Sequence, residues 1–173
     1  GKLIKESAVA YEIVKATPEQ IDNAISSGIN LNTLEAIKTA EIINNLNNGK
    51  LQKQKIRVIV DCPSTNIVAW KNKLLGYIEN AENLGISCEH KADARYPAVS
   101  AASIIAKVQR EEEVGKLKKE YGEIGSGYPS DPTTINFLKK HGSKFRNSGI
   151  FRKSWQTWKS LYPASSQKKI SDF

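Results

Sequence analysis

At 173 residues, with 39% hydrophobic side chains, the chain is sized for one domain with a real core and is too apolar for a disordered segment. A net charge of +8 favours an anionic partner. No apolar run approaches the about 20 residues of a membrane helix, and the start from Gly1 to Lys5 has neither a long apolar stretch nor a small-residue cleavage site, so no membrane contact and a cytoplasmic setting are expected.

Ala8 to Ala16 places Val9, Tyr11 and Ile13 on alternate positions, which predicts a strand. Thr17-Pro18-Glu19-Gln20 carries a cap, a first-turn proline and a capping-box glutamine, so a short helix opens there and ends near Gly28. A second helix is expected from Leu31 to Leu46, stopped by Asn48-Gly49. Ile56 to Val60 is a β-branched run ending in Asp61, Pro63 and Ser64 follow, and this predicts a buried strand leading into a loop. Ile67 to Glu82 is amphipathic through Trp70, Leu74 and Ile78, and Ile86 to Lys91 is a further strand. Val99 to Tyr121 predicts a long helix, small and apolar first and then charged. Gly125 to Pro132 is turn-rich, Asp131 and Pro132 open a helix to about Lys140, and Phe151 to Leu161 is the last helix. Strands alternating with helices indicate an α/β domain over residues 1–162, with helices at its C-terminal end and a polar tail at 163–173.

Cys62 and Cys88 match no zinc or redox spacing and read as two reduced thiols. Two histidines, His90 and His141, supply a zinc site or a Ser-His-Asp triad poorly. The charge is uneven. Between Asp131 and Asp172 there is no acidic residue, while Lys139, Lys140, Lys144, Arg146, Arg152, Lys153, Lys159, Lys168 and Lys169 all fall there. Phe137, Phe145, Phe151, Trp155, Trp158 and Tyr162 are interleaved with them. Clustered cations release counterions from a phosphate backbone, and aromatics offer either stacking faces or a local core. Nucleic-acid contact and a solubilising surface packed on its own aromatics both fit this pattern.

Asp61 ends a buried strand, where α/β proteins place their sites, although a loop carboxylate there can also cap the next turn. Asp93 follows the next strand and precedes the small residues Ser100 to Ser103, whose first use is close helix-to-sheet packing, with Ser100 also a candidate substrate contact. Two carboxylates after two strands can converge, and hard oxygen donors with few imidazoles suit Mg²⁺ or Mn²⁺. Two such ions can activate a water and stabilise the leaving oxygen in phosphodiester cleavage.

The block from Lys91 to Val108 (KADARYPAVSAASIIAKV) is similar to the central block of archaeal and eukaryotic-type ribonuclease HII, and Gly125-Ser126-Gly127-Tyr128-Pro129-Ser130-Asp131-Pro132 resembles a second block of that family. Phe151-Arg152-Lys153-Ser154-Trp155 resembles its closing motif, and Asn30 to Leu34 more weakly its substrate-side helix start. The resemblance implies a ribonuclease H-like mixed sheet flanked by helices. It also implies an endonuclease that cuts the RNA strand of RNA–DNA hybrids and acts at ribonucleotides embedded in duplex DNA, by two-metal hydrolysis with Mg²⁺ or Mn²⁺. On it, Asp61 and Asp93 match the third and fourth metal carboxylates, and Tyr128 matches the tyrosine set against the junction sugar. Asn32, Lys91, Ser100, Lys107, Arg152 and Lys153 are the further nucleic-acid contacts expected.

The family's Asp-Glu-x-Gly-Arg-Gly strand, second strand and Ser-Lys segment do not occur in this sequence. The first two metal carboxylates are therefore expected outside it. A non-catalytic nucleic-acid-binding fragment, or a subunit needing a complementing N-terminal segment, is the rival expectation. In the tail, Gln167, Ile170 and Phe173 sit at offsets of zero, three and six and resemble the short motif that docks on replication sliding clamps; an unstructured tail is the alternative.

Overall fold

The structure is a computed structural model that describes residues 1–49 and 51–163. In chain order it contains α1 (Lys2–Ser7), α2 (Pro18–Ser26), α3 (Leu31–Leu46), a 3-10 turn at Leu51–Lys53, β1 (Ile56–Asp61), α4 (Ile67–Leu75), β2 (Leu84–Glu89), α5 (Ala92–Arg95), α6 (Pro97–Tyr121), α7 (Pro132–His141) and α8 (Gln156–Leu161). The class is α/β, as expected, and the described sheet is a parallel pair of β1 and β2. Two compact units emerge: Gly1–Ala16 with Gly28–Glu113, and Thr17–Ser27 with the residues from Val114 onward. No helix among the described residues is long and apolar enough to cross a membrane.

In the first unit, β1 and β2 run in register from Ile56 opposite Leu84 to Asp61 opposite Glu89. Side chains alternate across a strand, so Val58 and Val60 share a face with Ile86 and Cys88. Those residues pack with Ala36, Ala40 and Ile43 of α3 and with Trp70 and Leu74 of α4. Two alanines on α3 leave room for close approach of the helix, and Trp70 Nε1 closes the layer by donating to Asn32 O at 2.8 Å. Cys62 and Cys88 are buried free thiols in this core; burial and the neighbouring Cys62 push the Cys88 thiol up.

Several elements depart from the sequence expectation, most for a local reason. Ala8 to Ala16 is not a strand: among the described residues the sheet consists of β1 and β2, and without a ladder partner the segment stays irregular with Val9 100% exposed. α4 stops at Leu75, seven residues early, because Gly76 caps it and Asn44 of α3 takes over the following backbone. The Asn44 amide donates to Tyr77 O at 3.0 Å and its Oδ1 accepts from Glu79 N at 3.1 Å. β2 ends at Glu89 because Lys91 turns into the left-handed region at φ 55°, and α5 follows as one extra turn. α6 begins at Pro97, whose missing N–H suits a first helical position. α8 begins only at Gln156, and ahead of it the amides of Lys153 and Ser154 donate to Asp22. The capping box at Thr17 is formed as expected, with Gln20 N to Thr17 Oγ1 and Thr17 N to Gln20 Oε1 both at 3.1 Å.

In the second unit the interleaved aromatics Phe137, Phe145, Phe151, Trp158 and Tyr162 pack on one another. Trp158 packs at a tilt against Phe151, with ring centroids 5.2 Å apart, and against Tyr162 at 4.7 Å, and Phe145 meets Tyr121 edge-on at 5.1 Å. Tyr162 then donates to Leu138 O at 2.9 Å. Ahead of α7, Asp131 braces the glycine-rich loop. Its Oδ2 accepts from Ser126 N at 2.6 Å and its Oδ1 from Thr133 N at 2.9 Å, while Thr134 Oγ1 accepts from Gly127 N at 2.9 Å. Gly125 is required there: its φ is +72°, and a Cβ would lie 2.5 Å from Asp131 Oδ2 and 2.7 Å from Thr134 N.

Leu74 is fully buried, so Leu74→Ala is expected to cost about 2–5 kcal/mol. A lower urea midpoint at unchanged slope would register this. The Ser126 amide and hydroxyl, then the Thr133 amide and the Thr134 hydroxyl, hold the Asp131 carboxyl well below the ordinary carboxylate range. A depressed folded pKa contributes stability that is complete above the unfolded value, about 3.9, and is lost as pH falls toward the folded one. Asp131→Asn is expected to speed hydrogen exchange at the Ser126 and Thr133 amides at neutral pH. It should also remove the loosening of this loop at strongly acid pH that is expected of the parent.

Candidate active site

The parallel register brings the C-terminal ends of β1 and β2 side by side, with Cys62 N donating to Glu89 O at 2.9 Å just beyond the last pair. Asp61 is the last residue of β1 and is exposed at that edge. Beyond β2, the left-handed Lys91 reverses the chain so that the Ala92 amide faces back, and Asp61 Oδ1 accepts from Ala92 N at 3.0 Å. That bond delivers Asp93, the next residue, to the same edge in the first turn of α5. His90 adds a second tie, its Nδ1 lying 3.2 Å from Cys62 O. The two aspartates singled out by sequence thus share one strand edge.

Carboxylate oxygens are the donors hard divalent cations take, and Mg²⁺ keeps several waters while using one or two protein carboxylates. Asp61, already oriented by an amide, and Asp93 supply oxygen donors of the kind such an ion takes. Among the described residues no three His, Cys, Asp or Glu side chains form a metal cluster.

Of the other residues expected to meet nucleic acid, Lys91 is exposed on the turn between the aspartates, and Ser100 is half-buried in the first turn of α6. Lys107 is exposed further along α6, and Asn32 is exposed at the start of α3, its carbonyl engaged by Trp70. These belong to the first unit. Tyr128, Arg152 and Lys153 belong to the second, on two different loops. Tyr128 is 53% exposed on the loop that Asp131 braces. Lys153 is exposed. Arg152 is half-buried, with its guanidinium 5.5 Å over the Trp155 ring. Burial pulls the Arg152 pKa down and the Asp22 charge partly restores it. Gln167, Ile170 and Phe173 lie outside the described residues.

Sequence reasoning missed two carboxylates that shape these loops. Asp22 accepts from the backbone of Lys153 at 2.7 Å and Ser154 at 2.9 Å, so the segment 152–155 is fixed by a residue more than a hundred positions earlier. Burial alone would raise the Asp22 pKa, but the Ser154 and Lys153 bonds and the Arg152 charge carry it below the usual value. No local pattern could have found it. Asp131 was legible as a helix cap, and its amide bond to Thr133 is that cap; the bond back to Ser126 is visible only in three dimensions.

Comparison with known proteins identifies the family. The family model described as Ribonuclease HII matches residues 2–158. The chain is 41% identical over 155 residues to the Ribonuclease HII of Methanocaldococcus jannaschii, covering 86% of this chain and 67% of that protein. It is 40% identical over 162 residues to that of Pyrococcus furiosus, covering 92% of this chain and 67% of the relative. It therefore spans about two thirds of the length of these curated relatives. Among solved structures, the ribonuclease H2 from Pyrococcus horikoshii OT3 superposes with a TM-score of 0.78 at 33% identity, over 92% of this chain and 72% of that one. The PCNA:RNase HII complex from Archaeoglobus fulgidus gives 0.70 at 36% identity, over 94% and 71%. The chain belongs to the ribonuclease HII family of hydrolytic nucleases.

Proposed function

We propose that the protein is a cytoplasmic endoribonuclease that cuts the RNA strand of RNA–DNA hybrids and the strand carrying a ribonucleotide embedded in duplex DNA, at a site built on Asp61 and Asp93. The observation that carries this reading is the juxtaposition of those two aspartates, through the Asp61 to Ala92 bond, in a chain of this family.

Asp61 and Asp93 would hold Mg²⁺ or Mn²⁺, the full centre being a two-metal one. Ions bound there supply Lewis acidity toward the phosphate and a low-pKa water nucleophile. Cleavage forms a bond from water oxygen to phosphorus on the 5′ side of the ribonucleotide and breaks the bond to the 3′ oxygen, which leaves as a 3′-hydroxyl. Lys91 on the turn between the two aspartates and Lys107 on α6 would hold phosphates, as would Arg152 and Lys153, without reading sequence. Asn32 and Ser100 would add neutral hydrogen bonds. The exposed ring of Tyr128 would lie against the junction sugar, where an aromatic face disfavours a 2′-hydroxyl. The tail residues Gln167, Ile170 and Phe173 would dock on a sliding clamp, a reading supported by the relative from Archaeoglobus fulgidus solved with PCNA.

The deciding assay incubates the protein with Mg²⁺ or Mn²⁺ and a DNA duplex carrying one ribonucleotide. Cleavage on its 5′ side is expected, and Asp93→Asn is expected to abolish it while leaving duplex binding within about twofold, since the phosphate contacts are untouched. Binding with no cleavage by the parent would instead establish the rival reading, a nucleic-acid-binding fragment or a subunit needing a complementing segment. For the tail, deletion of residues 167–173 should abolish retention on immobilised clamp and leave cleavage of free duplex unchanged; retained clamp binding would remove that assignment.

A further inference from the structure

Glu89 is the register partner of Asp61, so two carboxylates stand side by side at the sheet edge. Like charges directly opposite one another are destabilising unless one is engaged elsewhere. Glu89 is engaged at both oxygens. Its Oε1 accepts from the Tyr96 hydroxyl at 3.0 Å, and its Oε2 lies 2.8 Å from Arg95 Nη2. The same Arg95 nitrogen donates to His90 O at 2.8 Å. These bonds run from the end of β2 to Arg95, the last residue of α5, and to Tyr96, the residue after it, and Asp93 lies inside the span they close. Tyr96 is held in turn from β1, with the Arg57 guanidinium 5.6 Å from its ring centroid.

An ion pair whose arginine is half exposed adds little net stability. What this one does is bias geometry: Asp61 holds the Ala92 amide at the start of the four-residue turn and Glu89 holds Arg95 and Tyr96 at its end, so the turn that carries Asp93 is tied at both ends. Metal sites depend on such supporting groups, because ligands must be held to about 0.5 Å. We infer that Glu89 is a positioning residue that fixes the turn carrying Asp93 beside Asp61 without being a ligand, an assignment that rests on Asp61 and Asp93 being the metal site. The signature is a carboxylate next to the candidate ligands whose two oxygens are both taken by protein donors.

The test measures Mn²⁺ binding directly, from the electron paramagnetic resonance signal of free Mn²⁺, alongside thermal midpoints for Glu89→Ala, Glu89→Gln, Tyr96→Phe and Asp93→Asn. Loss of a group that bonds a metal ligand directly typically weakens metal affinity by about 10–100-fold, and Glu89, acting one bond further out, belongs at the lower end of that range. Glu89→Ala is expected in that range at a near-parental midpoint. Glu89→Gln should lose less, since its amide oxygen still accepts from Tyr96. Parental Mn²⁺ affinity in Glu89→Ala, with weakened binding in Asp93→Asn, overturns the inference alone. Parental affinity in Asp93→Asn as well overturns the metal assignment and the inference with it. Should Glu89→Ala fail to fold, Tyr96→Phe, which deletes one hydroxyl, decides: weakened binding supports the role of Glu89, and parental binding overturns it.

Discussion

The site depends on the parallel pairing of β1 with β2. Parallel neighbours end at the same edge of a sheet, so whatever follows the two strands is delivered to one place. The register sets which residues arrive: Asp61 and Glu89 are the last pair, and a slip of one residue would turn Asp61 to the other face. That register is specified from behind. Val58, Val60, Ile86 and Cys88 must face α3 and α4, and the small Ala36 and Ala40 admit only one close seating of the helix. The apolar layer therefore decides the placement of a polar edge it does not touch.

The edge then uses backbone groups to finish the arrangement. The left-handed Lys91 is the single non-glycine residue with positive φ among the described ones, and it aims the Ala92 amide at Asp61. Such a conformation is uncommon for a side-chain-bearing residue and persists where surrounding bonds over-determine it. Here those bonds are the His90 contact to Cys62 O and the Glu89 bonds beyond the turn. The second unit works by the same means with different residues: Asp131 and Asp22, each accepting backbone amides, fix the two loops that carry Tyr128 and Lys153.

Much of this was legible in the sequence where the signal was local. The capping box at Thr17, the span of α3 and the Asp131-Pro132 helix start stand as read, and the β-branched run into Asp61 forms a strand, though a half-buried one and not the buried one expected. Asp61 was singled out by its place at the end of a strand, and Asp93 and Tyr128 by the family blocks; the structure has them at the end of β1, in the first turn of α5 and on the loop ahead of α7. What failed was non-local. Ala8 to Ala16 has the alternation of a strand, but alternation describes a face and not a partner. The end of α4 was set by Asn44, and Asp22 takes a backbone amide ahead of α8; both are side chains from distant segments. The aromatics between the C-terminal cations suited either stacking platforms or a core, and composition could not show that Phe151 and Tyr162 pack around Trp158.

Tyr128 stands on a loop whose amides are already spoken for by Asp131 and Thr134, and whose Gly125 has no space for any other residue. Such a ring is preorganised. A surface that stacks upon it loses only the ring's own two torsions and not the conformational entropy of a loop. Recognition at Tyr128 would then discriminate by shape and fit rather than by inducing order, and a misfitting sugar would meet a surface unable to yield to it.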